Sequence, residues 1–246
     1  MKKLCILGAS MIVLAFSNSA NAQVRWGLGA GVNLNQNIDQ YQGETVANQA
    51  KVGYHGGGFA DICLANNLTL QPGLMYIMKG GLQQRSAEAQ LPDGFHELKV
   101  KDKLALHYIE LPLTLTYRFG VGRGNVVLGA GGYAAALTGA NSESKVKYTI
   151  NDQEIEALSF DEDQNLSIGN DEDDNLKRMD YGLVGNLGYE FANGWFLRGG
   201  VDAGLRDIMG HNFTPNIAAT QSAPAVQNTS SRNVSYLFTL GYWFSH

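Results

Sequence analysis

The chain has 246 residues, with 30 glycines, 5 prolines and a formal net charge of −5. Glycine stands well above an average usage of about 7%, and the 17% of charged residues falls below the usual share of about 25%. So little charge of this sign excludes a disordered chain, a coiled coil and a nucleic-acid binder, and a glycine-rich β protein remains.

The chain opens on Lys2 and Lys3, an apolar stretch over residues 4–16, and the small-residue run Ala20-Asn21-Ala22 before Gln23. This is the order of a cleaved export signal, expected over residues 1–22. The apolar stretch is too short to cross about 30 Å of hydrocarbon as a helix. The mature domain is then 23–246, and loss of the two lysines takes its charge to −7. Cys5 leaves with the signal and Cys63 stands alone, so no internal disulfide can form. Export without disulfides suits a bacterial envelope protein.

Beyond the signal the dominant pattern has period 2, the mark of strands. Residues 24–34 place Val24, Trp26, Leu28, Ala30, Val32 and Leu34 on one face and Arg25, Gly27, Gly29, Gly31 and Asn33 on the other. Residues 52–64 and 68–78 read alike but more weakly. Residues 107–119 are the clearest, with Ile109, Leu111, Leu113, Leu115, Tyr117 and Phe119 opposite Tyr108, Glu110, Pro112, Thr114, Thr116 and Arg118. Small residues fill both faces of 125–138, whereas 179–191, 195–205 and 232–244 alternate plainly. Eight strands of this length are long enough to cross a bilayer, which takes about 9–11 tilted residues.

The connections sort by length. Ala65-Asn66-Asn67, residues 120–124 and Ala192-Asn193-Gly194 are tight turns, and 35–50, 80–105, 139–178 and 207–231 read as long polar loops. Loop 139–178 carries eleven of the 23 acidic residues. Within it Asp161, Asp163, Asn165 and Ser167 fall at positions 1, 3, 5 and 7, with Glu172 at position 12, close to a calcium-loop spacing. Leu166 stands where that loop needs glycine, so the spacing predicts at most weak calcium or magnesium binding and no other cofactor.

Short turns on one side and long loops on the other predict an all-β fold, an eight-stranded antiparallel up-and-down transmembrane β-barrel with both termini periplasmic. The apolar faces end in aromatics that would form two girdles: Trp26, Tyr117, Phe119, Tyr189, Phe191, Trp195, Tyr242 and Phe244 at the periplasmic end, and Tyr54, Tyr76, Tyr181 and Tyr236 at the other. The opposite faces carry Arg25, Asp61, Glu110, Arg118, Glu190, Arg198, Asp202 and Arg206. Four arginines against four carboxylates predict a lumen plugged by ion pairs, with the inward glycines making room for the arginines.

The run Tyr108-Ile109-Glu110-Leu111-Pro112-Leu113 through Tyr117-Arg118-Phe119 resembles the corresponding strand of the PorT-like outer-membrane β-barrel family. The opening Trp26-Gly27-Leu28-Gly29-Ala30-Gly31, the LGAGGY run 128–133 and the ending Leu240-Gly241-Tyr242-Trp243-Phe244 are similar to its first, fifth and last strands. The resemblance implies an outer-membrane barrel, and its namesake takes part in protein secretion. The acidic loop 139–178 and the two residues after Phe244 depart from the family pattern.

Enzymatic signals are thin. Asp207 and His211 share the last loop, His55 and His107 lie near strand ends, and no G-x-S-x-G, H-E-x-x-H or P-loop lysine occurs. The sequence therefore predicts a structural or interaction protein of the outer membrane, working through its extracellular loops without catalysis. Outer-membrane lipid and lipopolysaccharide are the expected partners, with other envelope proteins possible, no nucleic acid, and a monomeric barrel. A secretion component, a soluble lipocalin-like carrier and a barrel enzyme are the alternatives; a carrier would need an apolar interior.

Overall fold

A computed structural model describes residues 24–41, 44–47, 49–92, 94–151, 153–169, 171, 174–210 and 229–244. The expected export signal, residues 1–22, lies outside them. Eight long strands form the frame: β1 (Val24–Tyr41), β2 (Lys51–Ala65), β3 (Leu68–Leu91), β4 (Gly94–Val121), β5 (Gly124–Ile150), β6 (Met179–Glu190), β7 (Trp195–Gly204) and β8 (Thr229–Trp243). Each pairs antiparallel with its neighbours in the chain, and β8 returns to β1 in the register Gly27↔Trp243 through Tyr41↔Thr229. The sheet closes, so no backbone edge is left facing lipid within the ring.

Alternation decides which way each side chain points. On β4, Leu111 is 56% exposed and Leu113, Leu115 and Tyr117 follow it outward, while Tyr108, Glu110, Thr114 and Thr116 are buried inside. The undecided strand resolves the same way: on β5 Leu128, Ala130 and Ala134 face out, and Val127, Tyr133, Ala135 and Leu137 face in. An apolar outer band of this size would be an aggregation surface in water and is the expected surface in hydrocarbon. The first girdle forms as expected, its rings packed in outward pairs: Tyr117–Phe119 at 4.7 Å, Tyr189–Phe191 at 4.9 Å and Trp195–Tyr242 at 5.4 Å between centroids. At the other rim Tyr54 and Tyr76 meet at 5.9 Å.

Three expectations are corrected. First, 80–105 is not a loop. Strands β3 and β4 run on as a hairpin to a turn at Pro92, and β5 continues beside them to Ile150. At 28 residues β4 is about 90 Å long at roughly 3.3 Å per residue, far more than a bilayer requires. Part of 139–178 extends this outer sheet, because Phe160–Asn165 pairs with residues 141–146 of β5. Second, Arg206 is not in the lumen. β7 ends at Gly204, and the guanidinium lies 6.0 Å over Tyr181, an outward ring. Third, the inward glycines mostly make room for rings and backbone. A Cβ on Gly27 would meet Trp243 at 2.5 Å, one on Gly241 would overlap Phe196, and one on Gly131 would overlap the Leu113 carbonyl. Only at Gly188 is an arginine, Arg198, among the nearest neighbours.

The end away from the short turns is covered by a small apolar lid. Leu176 and Ile208 are fully buried against Leu106, Leu137 and Ala140, with Leu166, Ile168 and Met209 beside them. Backbone bonds hold it down, from Lys177 N to Ile208 O (2.9 Å) and from Leu137 N to Arg178 O (2.7 Å).

Candidate functional site

The interior is a stack of polar layers. At the narrow-turn end Arg25 donates to Asp61 (2.8 Å) and Glu190 (2.7 Å), and Arg118 donates to Glu190 (3.0 Å) and Asp61. Trp243 closes this layer from β8. Its indole N–H donates to Glu190 at 3.1 Å and its ring lies 4.4 Å under the Arg25 guanidinium. Arg198 sits above, flanked by the rings of Phe59 and Phe196, and donates to Gln71 at 2.6 Å. In the middle layer the ammonium of Lys79, 0% exposed, donates to Glu110 at 2.7 Å and lies 3.7 Å from Asp202 and 4.0 Å over Tyr133. The Tyr133 hydroxyl donates to Asp180 at 3.1 Å, and Asn233 donates to Asp180 at 2.9 Å. Along the inner faces of β1, β2 and β8, His55 bonds Thr239 (2.9 Å) and Asn33 (3.3 Å), and Asn35, Asn37 and Ser235 are buried further along.

The expected ion-pair plug is present, but its membership differs from the sequence reading. Arg206 is replaced by Lys79, and Asp180 joins the carboxylates, so four cations face five acids. Between the lower and middle layers a cavity of about 50 Å³ is lined by Arg198, Asp202, Asn186, Glu110 and Gln71. One oxygen each of Asn186 and Asp202 has no hydrogen-bond partner among the described residues. The rest of its wall is apolar, with Phe59, Met75, Val184 and Leu237, and a space of that size beside two unpartnered oxygens suits one or two ordered waters.

The candidate ligand set is spread along one strand. Asp161, Asp163 and Asn165 alternate on Phe160–Asn165, at about 7 Å from one to the next along the strand. Asp161 accepts from Lys145 at 2.7 Å, and Asn165 accepts from Asn141 at 2.9 Å. Ser167 donates to Asn175 at 2.8 Å, and Glu172 lies outside the described residues. Among the described residues no three His, Cys, Asp or Glu side chains gather at one point. The histidines are likewise dispersed. His107 bonds Tyr76 at 2.6 Å on the outer face. Asp207 accepts from Lys177 at 2.7 Å and from the Ser231 amide at 2.9 Å, while His211 lies outside the described residues.

The outer sheet carries a second polar surface. Lys103 and Lys145 both contact Glu143, at 3.0 and 3.3 Å, and hold its carboxyl below the usual range, the hydrogen bond from Lys103 being the main cause. Lys51 reaches across the Gly80-Gly81 gap to donate to Leu104 O at 2.9 Å; partial burial, then the nearby Lys103, lowers its ammonium pKa.

Among curated proteins none matches the sequence. Solved structures give distant likenesses. The outer membrane protein OprG from Pseudomonas aeruginosa is 12% identical with a TM-score of 0.41, over 92% of this chain and 98% of that one. Ail, the attachment invasion locus protein of Yersinia pestis, is 10% identical with a TM-score of 0.35, over 90% and 99%. The outer membrane protease OmpT from Escherichia coli is 11% identical with a TM-score of 0.32, over 91% and 97%. The family described as the outer membrane protein beta-barrel domain matches residues 16–210, most of the chain, and so the protein belongs to that family of outer-membrane β-barrels.

Proposed function

We propose that the protein is an interaction barrel of the outer membrane, whose working part is the sheet that β3, β4 and β5 raise beyond the membrane. One observation carries this reading: the strands that protrude are elaborate and paired, while the lumen is filled by ion pairs and lidded by Leu176 and Ile208. A pore would have an open, water-filled interior, and a carrier an apolar one. The long hairpins point outside the cell and both chain ends lie in the periplasm, the usual arrangement for a barrel with short turns on one side.

An epitope inserted at the Pro92 turn tests it. The tag should be reached by antibody on intact cells while the turn at Gly122 is not. A tag hidden until the cells are lysed refutes the orientation and the function together. The β4 run Tyr108 to Leu113 favours a second reading, a PorT-like part in protein export. A deletion strain that still exports its surface proteins normally argues against that part and leaves the first reading standing.

A further inference from the structure

On β4 the outward parity of the lipid-facing residues Ile109–Phe119 continues upward through His107, Ala105, Lys103, Lys101 and Lys99. A bulge at Thr138 keeps β5 in step, so Glu143, Lys145 and Lys147 share this face, in the register Lys103↔Glu143, Lys101↔Lys145 and Lys99↔Lys147. The face that meets lipid below is thus a lysine face above. Like charges directly opposite across two strands disfavour pairing, so two consecutive lysine pairs are a costly choice for a bare sheet.

Carboxylates take up only part of this charge, and they do so from the flanks. Lys145 pairs with Asp161 (2.7 Å) and Glu143 (3.3 Å), Lys147 with Glu154 (3.0 Å) and Lys99 with Glu97 (2.8 Å), while Lys101 meets no carboxylate among the described residues. Between them lies a cleft of about 580 Å³, lined by these four lysines with Gln84 and Ser86 of β3 and with no acidic residue in its wall. Gln49 and Val100 complete the wall, and the four ammoniums are donors that an anion with several oxygens can share.

Direction and height select the anion. By parity the four lysines stand on the continuation of the face that meets lipid below, the side turned to the membrane around the barrel. Lys101 is eight residues above Ile109, about 20 Å at roughly 3.3 Å per residue and 40° of tilt. That is past a phospholipid headgroup layer and level with the sugars of an outer-leaflet glycolipid. We propose that the cleft formed by Lys99, Lys101, Lys145 and Lys147 binds the phosphorylated saccharide of neighbouring lipopolysaccharide. The inference rests on the outward orientation of the hairpins argued above. Bound phosphate would engage Lys101 and share the ammoniums that the flanking carboxylates hold, and so moor the tall sheet to its surroundings.

The test titrates the detergent-purified full-length mature barrel with lipopolysaccharide carrying its complete core, and with the same material after phosphate removal. Binding should weaken as salt rises from 50 to 500 mM, since about 8–10 Å of screening length at intermediate salt cuts exposed charge interactions. The quadruple variant K99Q/K101Q/K145Q/K147Q should bind at least tenfold more weakly, and K101Q alone about two- to fivefold. Arg123→Gln, on the opposite turn, should bind as wild type does. Unheated gel mobility checks that each variant is folded; if the quadruple variant is not, K101Q and the all-arginine replacement, which should keep the affinity, decide. Equal affinity of the folded lysine variants and wild type, or wild-type binding indifferent to phosphate removal, overturns the proposal, as does preference for an acidic peptide over lipopolysaccharide. A Pro92-turn tag exposed on cells together with unchanged lipopolysaccharide binding refutes this inference alone, whereas a hidden tag refutes the orientation beneath it.

Discussion

Replacing Lys79 by methionine isolates the middle layer of the plug. The ammonium is wholly buried, bonded to Glu110 at 2.7 Å, and Glu110 is 1% exposed, so its removal strands a buried carboxylate with no cation in contact. Breaking a buried pair from one side costs about 3–5 kcal/mol, whereas removing both charges is often close to neutral. Lys79→Met should therefore destabilise the barrel by that amount. The double variant Lys79→Met/Glu110→Gln should recover about 2 kcal/mol or more relative to the sum of the single changes, the size expected of coupled neighbours. Urea unfolding of barrels folded into lipid vesicles measures this, followed by unheated gel mobility and by the fluorescence of Trp243 in the layer below. A single variant that costs less than about 0.5 kcal/mol, as a surface lysine would, refutes the structural role of the pair. Strict additivity would refute the coupling.

Other outcomes follow from the same contacts. Gly131→Val should abolish heat-modifiable mobility, because its Cβ falls on the Leu113 carbonyl, while Gly185→Val, with nothing near and facing lipid, should fold as wild type does. Leu176→Ala should cost about 2–4 kcal/mol at the lid; amide exchange should rise over residues 166–178 and stay slow in β6 to β8. The outer sheet should loosen in acid. The Glu143 carboxyl is held down by Lys103 and Lys145, so its contribution is complete above the ordinary carboxylate range and is lost as pH falls through its lowered folded value. Amide protection relative to the intrinsic exchange rate should then fall across residues 99–103 and 143–147 as pH drops below the ordinary carboxylate range in wild type, and fall less in Glu143→Gln.

What could be read from the sequence follows the solvent on each face of a strand. Where one face meets lipid and the other the plug, as on β4 between Ile109 and Phe119, polarity alternates and the strand is visible. Where both faces are small, as on β5, the alternation fades, and only pairing with Leu113 on one side and Leu183 on the other turns Tyr133 and Leu137 inward. Above the membrane neither face meets hydrocarbon, so residues 82–105 and 139–150 carry polar side chains on both sides and read as loop, although they are the longest strands in the molecule. The Gly80-Gly81 pair reinforces that impression: it looks like a turn, yet Gly80 takes φ +127 so that β3 can pass against the Leu104 carbonyl and continue. Lys79 escapes the pattern for the same reason, standing one residue past the end of the visible alternation at Met78. Arg206 is the converse case: its parity matches the lumen face, but β7 ends two residues before it. A period-2 pattern thus marks the lipid-crossing part of such a strand and not its ends, and the residues that set a barrel of this kind apart lie where the pattern has no contrast to record.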